Sequence, residues 1–153
     1  MSLIKSFTHG NAKYEGTFVI NDVTKKISGE GKITTYNNDI MDTYEGNLFN
    51  GKKVGSGTRT MEVGTYTVKH FMLDDKMTGH GVITCKNGNV YKGEINGFKI
   101  NGIGTMTYFN GNCYDGEWVN GERHGIGSYK TALTGELIIA GWKNDVPTCR
   151  LDK

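Results

Sequence analysis

The sequence predicts an all-β chain, a single-layer antiparallel meander of stacked hairpins. Three observations predict it. Glycine supplies 23 of 153 residues against a single proline, Pro147. Aromatic residues recur two positions from glycine at a fixed period. Asn-Gly occurs six times, at 50–51, 87–88, 96–97, 101–102, 110–111 and 120–121. Glycine in this proportion, with eight Tyr and six Phe, describes many tight turns between short aromatic strands.

The repeat is plainest in Tyr114-Asp115-Gly116-Glu117-Trp118-Val119-Asn120-Gly121, followed by Glu122-Arg123-His124-Gly125-Ile126-Gly127. Its pattern is Tyr-x-Gly-x-Trp-x-x-Gly-x-x-x-Gly-x-Gly. Tyr44, Gly46, Leu48, Gly51, Gly55 and Gly57 fall at the same offsets. So do Tyr91, Gly93, Ile95, Gly102 and Gly104, with Gly97 one place early. Tyr14, Gly16 and Phe18 open another copy, but Gly29 and Gly31 arrive four residues late, which predicts a longer loop over 19–28. A degenerate copy has two registers. One puts Val68, His70 and Met72 in the Tyr, Gly and Trp places; the other uses Tyr66 with a two-residue insertion. The chain thus reads as one domain over 1–153, with units starting near 14, 44, 68, 91 and 114. Partial copies occupy 1–13, through Phe7-Thr8-His9-Gly10, and 138–146, through Ile138, Ala140, Trp142 and Asp145.

Tyr, Gly and Trp at i, i+2 and i+4 share one face of a strand. The glycine between two rings leaves backbone on which a ring can lie, as in aromatic rescue of strand glycine. Asn-Gly tolerates positive φ at both central turn positions and favours tight hairpins. The spacing therefore predicts ten to twelve strands of five to six residues each. No segment carries a helical period, so no second layer is expected. Hairpins that are unstable alone become cooperative when stacked.

These residues resemble the MORN repeat family, and the resemblance runs from Phe7 to about Asp145. It implies a sheet twisted into an open trough with rings lining one face. It also implies a non-enzymatic scaffold whose partner is another protein. Some relatives are associated with acidic phospholipids, and some self-associate. The departures are the long first turn, the ring-poor third copy, and Leu48 and Ile95 in Trp places.

Composition narrows the partners. The net charge is +2, from 18 basic and 16 acidic residues interleaved along the chain. The longest basic runs are the pairs Lys25-Lys26 and Lys52-Lys53, too little for a nucleic-acid footprint. An odd set of cysteines, Cys85, Cys113 and Cys149, points to a reducing compartment. The N-terminus lacks the apolar core of a signal peptide. The expected location is the cytoplasm, at the cytoskeleton or peripheral to a membrane.

Chemistry-bearing motifs are absorbed by the repeat. Gly46 to Lys53 approaches a phosphate-binding loop but ends in Lys53 where Ser or Thr is required, with no helix to follow. Of the four histidines, His9, His70, His80 and His124, the two beside second-strand glycines, His80 and His124, have no second ligand at metal spacing and read as solvent-facing. Neither Cys85 nor Cys113 has a local activator. No cofactor, metal or catalytic set is expected. A ligand pocket closed by the 19–28 loop is the remaining small-molecule reading.

Tyr91, Tyr108, Tyr114, Trp118, Tyr129 and Trp142 are the candidate partner-binding residues. They hold the sheet and are also expected to present accessible aromatic surface to a peptide or helix. Tyr14 and Tyr44 belong to the same set of rings. The regular C-terminal half is the expected site of binding. Open sheet edges invite pairing with a second copy. Lys5 is expected to blunt the first edge, and Asp145 with Pro147, placed beyond the last strand, the other.

Overall fold

The computed structural model describes residues 3–37, 40–61, 64–68, 72–73, 76–97 and 99–151. Their strands are β1 (Leu3–His9), β2 (Ala12–Ile20), β3 (Ile27–Asn37), β4 (Ile40–Phe49), β5 (Lys52–Met61), β6 (Gly64–Val68) and β7 (Met72–Leu73). There follow β8 (Lys76–Cys85), β9 (Val90–Asn96), β10 (Lys99–Thr107), β11 (Cys113–Val119), β12 (Glu122–Lys130), β13 (Leu137–Lys143) and β14 (Val146–Arg150). All pair antiparallel with their chain neighbours in one open meander, except that the short β7 pairs only with β8, and β6 passes directly to β8. The all-β meander is as the sequence predicts. The strands are more numerous and mostly longer than expected, because pairing runs on beyond the Tyr-x-Gly-x-Trp and Gly-x-Gly stretches to the turns on both sides.

Cross-strand register explains why. Gly16, Gly31, Gly46 and Gly57 pair in succession across four strands. The row continues through Val68 and Gly81 to Gly93, Gly104, Gly116 and Gly127, and ends on Ala140. One glycine of every regular strand thus lies on a single line perpendicular to the chain. This line also selects the register of the third unit. Val68 pairs into the glycine row, and Tyr66 pairs with Ile83, as Tyr91 does from the next unit. Tyr66 therefore takes the Tyr place, and the extra residues follow it. Met72 pairs with Met77 as Trp118 does with Arg123, so it keeps the Trp place in either register; His70 falls outside the described residues.

The two glycines of Gly-x-Gly do different work. After Gly116 pairs with Gly127, the next pair is Glu117 with His124, so Gly125 and Ile126 bulge out of β12. Gly125 has φ +56, a conformation open to glycine at little cost. Gly55-Ser56 form the same bulge in β5, and Glu94 faces Asn101–Ile103 in the equivalent place of β10. The first hairpin lacks it: β2 and β3 pair without a break from Ala12–Thr35 to Ile20–Ile27. The four-residue delay therefore lengthens the strands. The expected loop over 19–28 shrinks to a turn over 21–26, held by Asn21, whose Oδ1 accepts from Val23 N at 3.0 Å and Thr24 N at 2.8 Å.

The turns follow Asn-Gly only in part. Asn50-Gly51 and Asn120-Gly121 have positive φ at both residues, as a type I′ hairpin requires. Asn144-Asp145 do the same without glycine. At 87–88 and 110–111 only the glycine is left-handed, and its N–H bonds back to Cys85 O at 3.0 Å and Tyr108 O at 2.8 Å. Turns also bond one to the next. Asn89 Oδ1 accepts from Phe109 N at 3.0 Å, and Asn112 Oδ1 from Ala132 N at 2.9 Å. On the opposite side, Gly51 N donates to Ile27 O and Gly121 N to Ile100 O. These bonds pin the stacking of successive units.

Pro147 lies inside β14, paired with Trp142, and not beyond the last strand. As the terminal strand of an open sheet, β14 tolerates a residue with no N–H to donate.

Candidate functional site

The rings occupy the face that carries the glycine row. Tyr91 lies across Gly93 and Gly104, Tyr114 across Gly116 and Gly127, and Tyr44 across Gly46 and Gly57. A Cβ at Gly57, Gly104 or Gly127 would fall 2.5 Å from Cε2 of the ring above it. Each phenol donates to the backbone three residues on: Tyr44 to Asn47 O at 3.1 Å, Tyr91 to Glu94 O at 2.9 Å, Tyr114 to Glu117 O at 3.1 Å. The glycine row is the floor that lets the hydroxyl reach the carbonyl at the bulge.

Trp118 stands edge-on between Tyr91 and Tyr114, at 5.7 and 5.0 Å between centroids. Its Nε1 donates to Gly104 O at 2.9 Å. Trp142 repeats this one unit on, edge-on to Tyr114 at 5.3 Å and donating to Gly127 O at 3.3 Å. Edge-to-face rings match the positive edge of one to the negative face of the next. Arg123 covers the end of the row, 4.3 Å from the centroid of Trp142. Its Nε donates to Asp145 Oδ1 at 2.9 Å and its NH2 to Asp145 O at 2.9 Å.

This packing sorts the six candidate residues. Tyr91 and Tyr114 are 0% exposed, Trp118 3% and Trp142 8%. These four form the hydrophobic core and do not present the accessible aromatic surface expected of them. The reason is the spacing: rings seated on glycine at every strand bury one another without a second layer. Tyr108 and Tyr129 are half-buried, tilted against each other at 6.2 Å. Tyr129 Oη accepts from Asn112 Nδ2 at 2.8 Å. Of the six, these two alone keep partial exposure. Burial pushes the Tyr91 and Tyr114 phenols up to about 12 and raises Tyr108 as well.

The N-terminal half is built differently. Phe18 is fully buried and lies against Gly29 and Gly31, the seat that tyrosine takes elsewhere. Tyr14 stacks on Phe7 at 4.7 Å. Asp42, two residues before Tyr44, pairs at 2.9 Å through Oδ1 with Nε of Arg59, which stands directly across from Tyr44. Leu48 takes the Trp place and leaves a hollow of about 400 Å³ between Tyr14, Ile33 and Lys53.

Glu94 and Glu117 were not singled out by the pattern, yet each fills the space beside a bulge glycine, Gly102 and Gly125. Glu117 Oε1 accepts from Ile126 N at 3.1 Å, which satisfies a donor the bulge frees from the ladder. Their shared place, three residues after Tyr91 and Tyr114, was the available signal.

No group of metal-ligating residues forms among the described residues. His80 lies 3.9 Å from Glu94 on the exposed face. Gly46–Lys53 is a strand end and a hairpin, with neither the loop nor the helix of a phosphate site.

An open ladder of repeated hairpins, in which Tyr44, Tyr91 and Tyr114 each lie on a pair of glycines, defines a β-hairpin repeat protein. The family model of the MORN repeat matches residues 44–66, 72–90, 91–113 and 114–132, more than half of the chain. The chain belongs to the MORN repeat family, a family of non-enzymatic repeats. The matched segments stop short of both ends of the ladder, which the pairing of β1 through β3 and of β13 with β14 extends. No curated protein matches the chain.

Proposed function

We propose that this chain is a non-catalytic scaffold that binds another protein, as a peptide or helix, on the ring-bearing face. The observation that carries the reading is an uncovered face of unusual chemistry. Among the described residues no helix and no second sheet lies over it, and Tyr108 and Tyr129 leave ring surface there. Exposed aromatic surface beside a packed, rigid floor is the kind of surface that anchors a partner at little entropic cost. Three free thiols suit the cytoplasm as the place of action. Self-association belongs to the same reading. Of the two open edges, Pro147 weakens β14 as a pairing strand, so a second copy is proposed to add at β1.

The test separates surface from fold. Tyr108→Ala with Tyr129→Ala in the full chain should lose partner capture while circular dichroism stays unchanged. Ile103→Ala with Ile126→Ala, on the opposite face, should leave capture intact. Capture that survives the tyrosine pair and fails with the isoleucine pair contradicts the proposal.

A further inference from the structure

Tyr108 and Tyr129, the two partly exposed rings of the C-terminal half, stand tilted at 46° with 6.2 Å between centroids. Trp142 follows Tyr129 at 6.2 Å and 42°, and is itself buried. The tyrosine pair is thus an uncovered step beside a packed stack. No helix or second sheet lies over it among the described residues.

Hydrogen bonding sets the chemistry of this step. Asn112 Oδ1 accepts from Ala132 N at 2.9 Å, so the Nδ2 of Asn112 is the atom that faces Tyr129. Tyr129 Oη accepts that N–H at 2.8 Å, which leaves its own proton to donate outward. Tyr108 Oη is not buried and makes no hydrogen bond among the described residues. The ionic groups on this part of the face are already paired, Asp145 with Arg123 at 2.9 Å and Glu136 with Arg150 at 3.6 Å. They favour neither an acidic nor a basic partner, and their carboxylates are engaged.

The step therefore offers two rings and two hydroxyl donors in neutral surroundings. A helix keeps its carbonyls for its own N–H groups. An extended strand brings N–H donors that need acceptors of their own. A polyproline II segment meets the demand, because its carbonyls have no internal partner and proline brings no N–H. At a rise of about 3.1 Å per residue, two of its residues span the distance between the rings. Its restricted backbone also loses little entropy on docking.

We infer that Tyr108 and Tyr129 form a docking step for a proline-rich segment in the polyproline II conformation. Proline rings pack on the two phenol rings, and backbone carbonyls accept from the two hydroxyls. The inference rests on the ring face being the partner face, and it names the chemistry of the partner.

The probe is a fluorescein-labelled decamer of L-proline, with the D-proline decamer as control. The control has the same composition and apolar surface but the opposite hand. Fluorescence anisotropy on the full chain reads the binding. The L-decamer should bind at least about fivefold more tightly, the effect of one hydrogen bond made or lost. Tyr129→Phe and Tyr108→Phe each keep the ring and remove the donor. Each should weaken binding about fivefold, with the fold checked by circular dichroism. Equal binding of the two decamers, or undiminished binding to either folded phenylalanine variant, overturns the docking step. If Tyr108→Ala with Tyr129→Ala abolishes partner capture while the L-decamer fails to bind, the scaffold reading stands and the polyproline assignment alone falls.

Discussion

Replacing Gly104 with alanine places a methyl group under the ring of Tyr91, 2.5 Å from its Cε2 and closer still to Cζ and Oη. Two responses are open. The ring can stay and strain the strands, at about 1–3 kcal/mol for an overpacked core. Otherwise it lifts, giving up to about 3 kcal/mol of burial and about 1 kcal/mol for the bond to Glu94 O. The cheaper response prevails, so the expected cost is about 1–3 kcal/mol. For a chain near 150 residues that lowers Tm by roughly 2–12 °C. Ala140 shows that the methyl group is not itself the obstacle. It ends the same row, paired with Gly127, where Ile138 and not tyrosine stands two residues before it. A double-mutant cycle with Tyr91→Leu isolates the effect. Urea unfolding followed by circular dichroism should give a coupling of at least about 1 kcal/mol, because removing the ring makes the methyl harmless. Additivity within about 0.5 kcal/mol, or an unchanged Tm for Gly104→Ala, would refute the reasoning.

Trp142→Phe loses the Nε1 bond to Gly127 O and should cost about 1 kcal/mol, seen as a lower urea midpoint. Asp145→Asn should cost at least as much, because Arg123 loses the carboxylate that holds it over Trp142; an unchanged midpoint would contradict that role. Stability should fall between pH 10 and 12. The Tyr91 and Tyr114 phenols keep their protons to about 12 in the folded chain but lose them from the ordinary 10 when unfolded, so the unfolded state binds fewer protons across that window. Below pH 10 this contribution is fully present. Urea midpoints across the window should lose part of their slope in Tyr91→Phe, Tyr114→Phe; an unchanged slope would contradict the burial argument. Among the thiols, Cys149 is exposed, whereas burial raises the half-buried Cys85. Maleimide labelling read by mass spectrometry should modify Cys149 before Cys85.

Much of the ladder was legible because strand side chains alternate strictly. Tyr91, Gly93 and Ile95 had to share a face, and the period brought the glycines of successive units into line. Burial was not legible. Alternation says which face a ring takes, but not whether a neighbour covers it. Coverage of Tyr114 depends on Trp118, Trp142 and Arg123 arriving from three strands, and that depends on the bulge at Gly125-Ile126. The same bulge explains why two glycines are needed. One turns the backbone out of the ladder and the other receives a ring, a division that spacing alone does not reveal. Leu48 reads in the sequence as a mild departure from pattern. Only the packed neighbours turn its smaller size into a hollow.

The central claim is that partners bind the ring-bearing face. Photo-cross-linking tests it most directly, with a benzoylphenylalanine placed singly at Tyr108, Tyr129, Ile103 or Ile126 in the full chain. The partner should cross-link from positions 108 and 129 and not from 103 or 126. Cross-links confined to 103 and 126 would contradict the account.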